Sequence, residues 1–166
     1  MKNIIRMAAL AALAAGSAVA GFAQTPKPCT SQTIEGTYAF RVSGEVFAAT
    51  GLVYRDGIAL THFDGVRTAT QVDYVLANGV PVPGPKDENG FNTDETGWYE
   101  VHENCTGEVE INFPKPEGGT SGAVIKFFFI ISNNGSQLTT IVTSLTPPNS
   151  TKAVPVNIHS DAVKID

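Results

Sequence analysis

The apolar pattern constrains this chain more than any other feature. After residue 30 it shows short alternating or continuous apolar runs and no helical period. The runs are separated by pairs such as Asp56-Gly57, Asp64-Gly65 and Asn78-Gly79, which are typical of tight turns between antiparallel strands. The pattern predicts an all-β protein.

Eight runs have good strand character, and the tail beyond residue 153 holds a weak ninth. The eight cover residues 38–42, 46–54, 58–63, 68–77, 97–102, 109–113, 124–131 and 137–145. An open meander of this size would leave unpaired edges, which closure removes. We therefore predict an eight-stranded antiparallel β-barrel. A β-sandwich remains the alternative, because alternation alone does not separate the two. The run 124–131 is almost wholly apolar, which predicts a strand covered on both faces.

The first 23 residues have the layout of a secretory signal. Lys2 and Arg6 precede an apolar stretch over 7–15 that is too short to span a bilayer. Gly21-Phe22-Ala23 fits the small-x-small cleavage rule, and Ala18-Val19-Ala20 is the alternative. We predict a signal peptide over 1–23, a single barrel domain over 24–166, and a periplasmic or extracellular location.

Charge excludes two classes of partner. Without the signal, 143 residues carry 9 Lys and Arg against 16 Asp and Glu, a net charge of −7. Nucleic acid would need a basic face, and an anionic membrane surface would need a polybasic patch. We expect no nucleic-acid partner and no membrane span.

The mature chain keeps two cysteines, Cys29 and Cys105. In an oxidising compartment an even count favours a disulfide. A bridge across 76 residues would stabilise the fold by about 4 kcal/mol in the chain-entropy model. A metal or reactive-thiol role is the alternative, but no Cys-x-x-Cys or Cys/His cluster supports it.

Residues 80–96 differ in kind from the strands. Pro81, Pro83 and Pro85 favour an extended course that cannot donate to a β-ladder. We predict a long Pro-rich surface loop over one end of the barrel, and loops of this length are often functional.

Candidate chemistry is sparse. The chain has no Gly-x-Ser-x-Gly elbow and no phosphate-binding glycine loop, so we expect no cofactor. Asp73 and Glu100 are candidate acid–base groups, because a barrel interior raises a carboxyl pKa. His62 and His102 are candidate metal ligands, but ordinary solvated polar pairs explain them better. Asp64 is explained by turn chemistry.

Aromatic residues favour a binding role, because an eight-stranded barrel can enclose one small ligand. The candidate ligand-binding residues are Tyr38, Phe40, Tyr74, Trp98, Tyr99 and Phe128. The same side chains would equally fill a solid barrel.

Several short motifs together resemble a known group of proteins. They are Cys29, Gly36-Thr37-Tyr38, Phe63-Asp64-Gly65, Thr96-Gly97 and Asn104-Cys105-Thr106-Gly107. This order resembles small exported bacterial proteins, mostly uncharacterised, that look like β-barrels of the allene-oxide-cyclase or calycin kind. The Pro-rich segment departs from the usual pattern. The resemblance implies a barrel and assigns no activity to any residue.

Three functions follow as hypotheses. The first is a secreted, non-enzymatic barrel that binds a small apolar ligand or serves as an exported surface component. The second is a cyclase or isomerase acting on an apolar substrate, and the third is a protein–protein contact module using 81–85. A cavity above roughly 300 Å³ favours the first two, and a buried carboxylate facing it favours the enzyme. The sequence does not give the oligomeric state.

Overall fold

The computed structural model describes residues 27–166, so the predicted signal peptide lies outside the described part of the chain. Two short 3₁₀ segments, Ser31–Ile34 and Asn133–Gly135, accompany nine strands. The strands are β1 (Gly36–Ala48), β2 (Gly51–Phe63), β3 (Thr68–Ala77), β4 (Val80–Pro81), β5 (Asn92–Val101), β6 (Thr106–Asn112), β7 (Val124–Ser132), β8 (Gln137–Thr146) and β9 (Val156–Lys164). No helical segment within 27–166 is long and apolar enough to cross a membrane.

Eight of the strands close into a barrel. The hydrogen-bonded order is β1-β2-β3-β5-β6-β7-β8-β9, and β9 pairs with β1 to complete the ring. Every pairing is antiparallel, and β4 only adds two residues beside the end of β3. The predicted all-β, eight-stranded antiparallel barrel is therefore confirmed, and the sandwich alternative is not.

The turns were predicted with mixed success. Asn78 and Gly79 both have positive φ, at 50° and 81°, and join β3 to β4 as predicted. The turn predicted at Asp56-Gly57 is wrong, because both residues lie inside β2 and the β1–β2 hairpin turns at 49–50. A Cβ on Gly57 would lie 2.7 Å from the Tyr74 carbonyl oxygen, so close approach of β3 explains this glycine.

The end of the barrel where β1 begins is closed by packed side chains. Ile34, Tyr38, Phe63 and Tyr99 are fully buried there. The Phe63 ring centroid lies 5.6 Å from that of Tyr38 and 5.0 Å from that of Tyr99, in edge-to-face geometry. The Tyr38 hydroxyl donates to the Gly135 carbonyl oxygen. This half of the barrel is solid and leaves no room for a ligand.

The disulfide lies at the same closed end. Cys29 and Cys105 are bonded, with their Cα atoms 5.0 Å apart, as the cysteine count predicted. Cys105 sits in the turn between β5 and β6, so the bond ties the N-terminal segment to the barrel rim. The Cys29 amide also donates to the Glu103 carbonyl oxygen at 3.2 Å.

The expectation that 124–131 is covered on both faces is wrong. Phe127, Phe129 and Ile131 point inward and are buried, whereas Phe128 and Ile130 are 53% and 59% exposed on the outer wall. A single-walled barrel has only one covered face, so alternate residues of an apolar run must face outward.

Candidate functional site

The open half of the barrel encloses a cavity of about 470 Å³. Its wall is mainly apolar and includes Phe40, Val42, Val53, Phe127, Val142 and Ile158. The six residues belong to five strands: β1, β2, β7, β8 and β9. They point inward because side chains alternate between the two faces of each strand. The volume lies in the range of small-molecule pockets.

Three Pro-rich segments surround the mouth of this cavity. They contribute Pro83 and Pro85, Pro114 and Pro116, and Pro147 and Pro148. Because each proline fixes its own φ, the backbone of these segments has little conformational entropy to lose when a ligand enters. The predicted Pro-rich loop therefore borders the cavity. It is shorter than 80–96, because β5 begins at Asn92.

A chain of polar side chains crosses one wall of the cavity. The Thr61 hydroxyl donates to Gln71 Oε1 at 2.8 Å, and Gln71 Nε2 donates to Glu95 Oε2 at 2.7 Å. Nearer the mouth, Asn92 Nδ2 donates to Asp73 Oδ1 at 2.7 Å. Lys86, in the Pro-rich loop, donates through its Nζ to Asn92 Oδ1 at a distance of 2.8 Å.

Two carboxyl groups meet in this chain. Glu95 is 1% exposed and Asp73 is 5% exposed. Burial, followed by the negative charge of Asp73, raises the pKa of Glu95 to about 8. Burial also raises the pKa of Asp73, against hydrogen bonds from Asn92 and Glu95 and the charges of Lys86 and Arg55. At neutral pH the pair therefore holds one proton, carried by Glu95.

An unpaired oxygen supports this protonation state. Glu95 Oε1 is buried and has no hydrogen-bond partner within 27–166. A protonated Glu95 carboxyl can donate a hydrogen bond to Asp73, and this interaction is one cause of its raised pKa. The arrangement resembles other carboxyl pairs that cannot both ionise at short range.

Arg55 completes the polar part of the wall. Its side chain lines the cavity from β2. The ion pairs found between described residues are Glu100–His102 and Glu110–Lys126, and neither includes Arg55. Burial lowers the pKa of Arg55, and the nearby negative charge of Asp73 partly opposes this lowering.

The structure separates the two candidate acid–base residues. Asp73 lines the cavity, whereas the Glu100 side chain is exposed on the outer wall. Glu100 Oε1 lies 3.9 Å from His102 Nδ1, an exposed pair at the rim. Of these two residues, only Asp73 can reach a molecule inside the barrel.

The six candidate ligand-binding residues fall in three places. Phe40 lines the cavity. Tyr38 and Tyr99 are packed into the closed end. The other three lie on the outer wall: Tyr74 beside Phe91, Trp98 beneath the Arg67 guanidinium at 5.6 Å, and Phe128 exposed.

The candidate metal ligands do not converge. His62 is on the outer wall, with its Nδ1 3.3 Å from the Thr37 hydroxyl oxygen. His102 is exposed beside Glu100. Within 27–166 no group of three or more His, Cys, Asp or Glu residues is placed to hold a metal ion.

Asp64 has a local role. Its Oδ1 accepts the backbone N–H groups of Val66, Arg67 and Thr68 at 2.8–2.9 Å. Burial alone would raise the pKa of Asp64, but these donors outweigh it and lower the pKa to about 2. This is turn chemistry, as the sequence indicated.

Sequence reasoning missed Glu95, Arg55 and Gln71. Glu95 lies four residues before the inward-facing Tyr99, so a period of two would have placed both on one face. The predicted loop over 80–96 hid that relation. The turn predicted at Asp56-Gly57 hid Arg55 in the same way.

Comparison with known proteins finds no matching family model and no curated protein similar to this chain. The fold and the cavity therefore define the protein only as a closed eight-stranded β-barrel with a lined interior space.

Proposed function

We propose that this protein binds one small, mainly apolar molecule inside the barrel and acts in the periplasm or outside the cell. The observation that carries the proposal is the 470 Å³ cavity in the open half, walled by apolar side chains. A filled barrel, the main alternative explanation of the aromatic residues, would have no such space. The predicted signal peptide and the Cys29–Cys105 bond support export.

The resemblance to allene-oxide-cyclase or calycin-like barrels supports the same function. Barrels of this architecture are suited to enclosing a ligand among inward-facing side chains. Pro83 and Pro85 border the cavity mouth, which favours a role of this segment in ligand entry over a separate role as a protein-contact module.

The buried carboxyl pair favours a second candidate function, proton-transfer isomerisation. When a substrate binds, Glu95 would turn its hydrogen bond from Asp73 to the substrate carbonyl oxygen, and Asp73, released from that bond, would act as the nearby base. For a β,γ-unsaturated ketone, Asp73 would take the α proton, and the C–H electron pair would form the enolate. The same proton would return at the γ carbon, with no net redox change.

Binding is tested with N-phenyl-1-naphthylamine, an uncharged apolar fluorophore, titrated into the mature protein. We expect saturable binding of one probe per chain. Ala59→Phe, which fills the cavity, should abolish it. Ala39→Phe is the matched control, because Ala39 pairs with the exposed Leu60 on the outer wall.

Equal binding by the two variants would place the probe outside the barrel and overturn the proposal. If Ala59→Phe does not fold, Val53→Phe nearer the mouth serves the same purpose. The isomerase candidate is tested separately with 3-cyclohexenone, whose conversion to the conjugated ketone is followed by ultraviolet absorbance. Asp73→Asn should stop conversion while probe binding persists.

A further inference from the structure

We propose that the ligand carries a single anionic group, which Arg55 binds inside the cavity beside the buried Asp73–Glu95 carboxyl pair. The inference rests on the proposed ligand-binding function and names the chemistry that the cavity would select.

The first support is the state of Arg55. A guanidinium has five N–H donors in a planar fork, and leaving them without a partner in an apolar space is costly. Arg55 lines the cavity and belongs to neither ion pair of the described residues. A carboxylate or sulfonate would fill the fork through two parallel hydrogen bonds.

The second support is the charge balance at the polar wall. Arg55 is positive, Asp73 is negative, and Glu95 is neutral while it holds its proton. Lys86 is exposed and lies outside the cavity lining, but it adds a positive charge beside the wall through its hydrogen bond to Asn92. The remaining polar neighbours, Gln71 and Asn92, carry no charge. With Lys86 counted, the wall therefore has a net charge of +1, which one monoanionic ligand would neutralise and one cationic ligand would double.

Glu95 connects this selectivity to pH. When Glu95 loses its proton, the wall gains a negative charge inside a region of low dielectric, and the net charge falls to zero. Glu95 faces Asp73 on β3, and Asp73 in turn lies near Lys86 on the Pro-rich loop and Arg55 on β2. We therefore expect affinity for an anion to fall as the pH rises through 8, while affinity for an uncharged ligand stays constant.

The test compares two probes that share one aromatic body. 8-Anilinonaphthalene-1-sulfonate carries a sulfonate, and N-phenyl-1-naphthylamine does not; neither titrates between pH 6 and 9.5. In the mature protein at pH 6.5 we expect the sulfonate probe to bind more tightly. Arg55→Met should reduce that preference at least about 10-fold, as expected for losing a hydrogen bond to a charged group.

Matched controls isolate each residue. Arg41→Met removes an exposed arginine from the outer wall and should leave the preference unchanged. Glu95→Gln should keep binding of the sulfonate probe and remove its loss above pH 8. Glu100→Gln, an exposed glutamate, should keep the wild-type pH profile.

The outcomes separate the two proposals. If the uncharged probe does not enter the cavity, the ligand-binding function itself fails. If it enters but the sulfonate probe binds no better, or Arg55→Met and Arg41→Met behave alike, the anion site is wrong and the binding function stands. A Glu95→Gln variant with the wild-type pH profile would refute the role of Glu95.

Discussion

Glu95 should make the folded protein less stable as the pH rises. Burial holds the pKa of this carboxyl at about 8 in the barrel, against an ordinary value of 4.5. Below pH 4.5 both the folded and the unfolded chain bind the proton. Between 4.5 and 8 the unfolded chain releases it and the folded barrel keeps it, so unfolding becomes progressively easier. Above pH 8 the loss of stability is complete.

The size of the effect follows from the two pKa values. The difference between 4.5 and about 8 corresponds to a loss on the order of 4–5 kcal/mol across this pH range. A domain of this size has a total stability of about 5–15 kcal/mol. Ionisation of Glu95 would therefore remove a large part of it.

Urea unfolding of wild type and Glu95→Gln between pH 5 and 9 measures this directly. The amide keeps the shape of the side chain and can still accept from Gln71 and donate to Asp73. We expect stability to fall steeply with pH in wild type and to stay nearly flat in Glu95→Gln. Glu100→Gln is the control and should follow wild type, because Glu100 is exposed. Parallel curves for wild type and Glu95→Gln would refute the assignment of the proton to Glu95.

Three further predictions concern folding. Reduction of the disulfide should lower the melting temperature substantially, since the bond closes a 76-residue separation and contributes about 4 kcal/mol; an unchanged midpoint in reductant would contradict this. Asp73→Asn and Glu100→Gln should both fold, as circular dichroism can check, and loss of structure in either would show an essential structural role. Tyr38→Phe should cost about 1–2 kcal/mol in urea unfolding, because the buried Gly135 carbonyl oxygen loses its donor. Equal stability of that variant and wild type would mean that the carbonyl finds another partner.

Much of the fold could be predicted from local pattern. Glu108 and Glu110 alternate with Val109 and Ile111, and the structure buries the two apolar side chains in the interior. Asn78-Gly79 predicted its turn because both residues tolerate positive φ. The prediction from local residue type was wrong at Gly57, because the close approach of the neighbouring strand, and not a turn, explains this glycine.

The candidate site was harder to predict, because its residues come from separate strands. Asp73, one of the two candidate acid–base carboxylates, does lie in the cavity, but the carboxyl group beside it is that of Glu95, which the sequence analysis did not single out. The pairing of β3 with β5 shifts register between Gln71 and Asp73, and this irregularity brings Asn92 opposite Asp73. No local pattern in the sequence reports such a shift.

The sequence by itself determined the all-β class, the turn at Asn78-Gly79 and the pairing of the two cysteines, because these depend on alternation, turn residues and a count of two. It did not determine every strand boundary: the predicted run 46–54 crosses the turn between β1 and β2, and the weakly predicted tail forms β9, which closes the barrel. Only the tertiary structure decided which face of each strand points inward and how far the interior is filled. Closure of the ring and the register between strands set both, and they depend on contacts between residues far apart in the chain. For that reason the closed end filled with Tyr38, Phe63 and Tyr99, while the open end kept a cavity lined by a carboxyl pair and by Arg55.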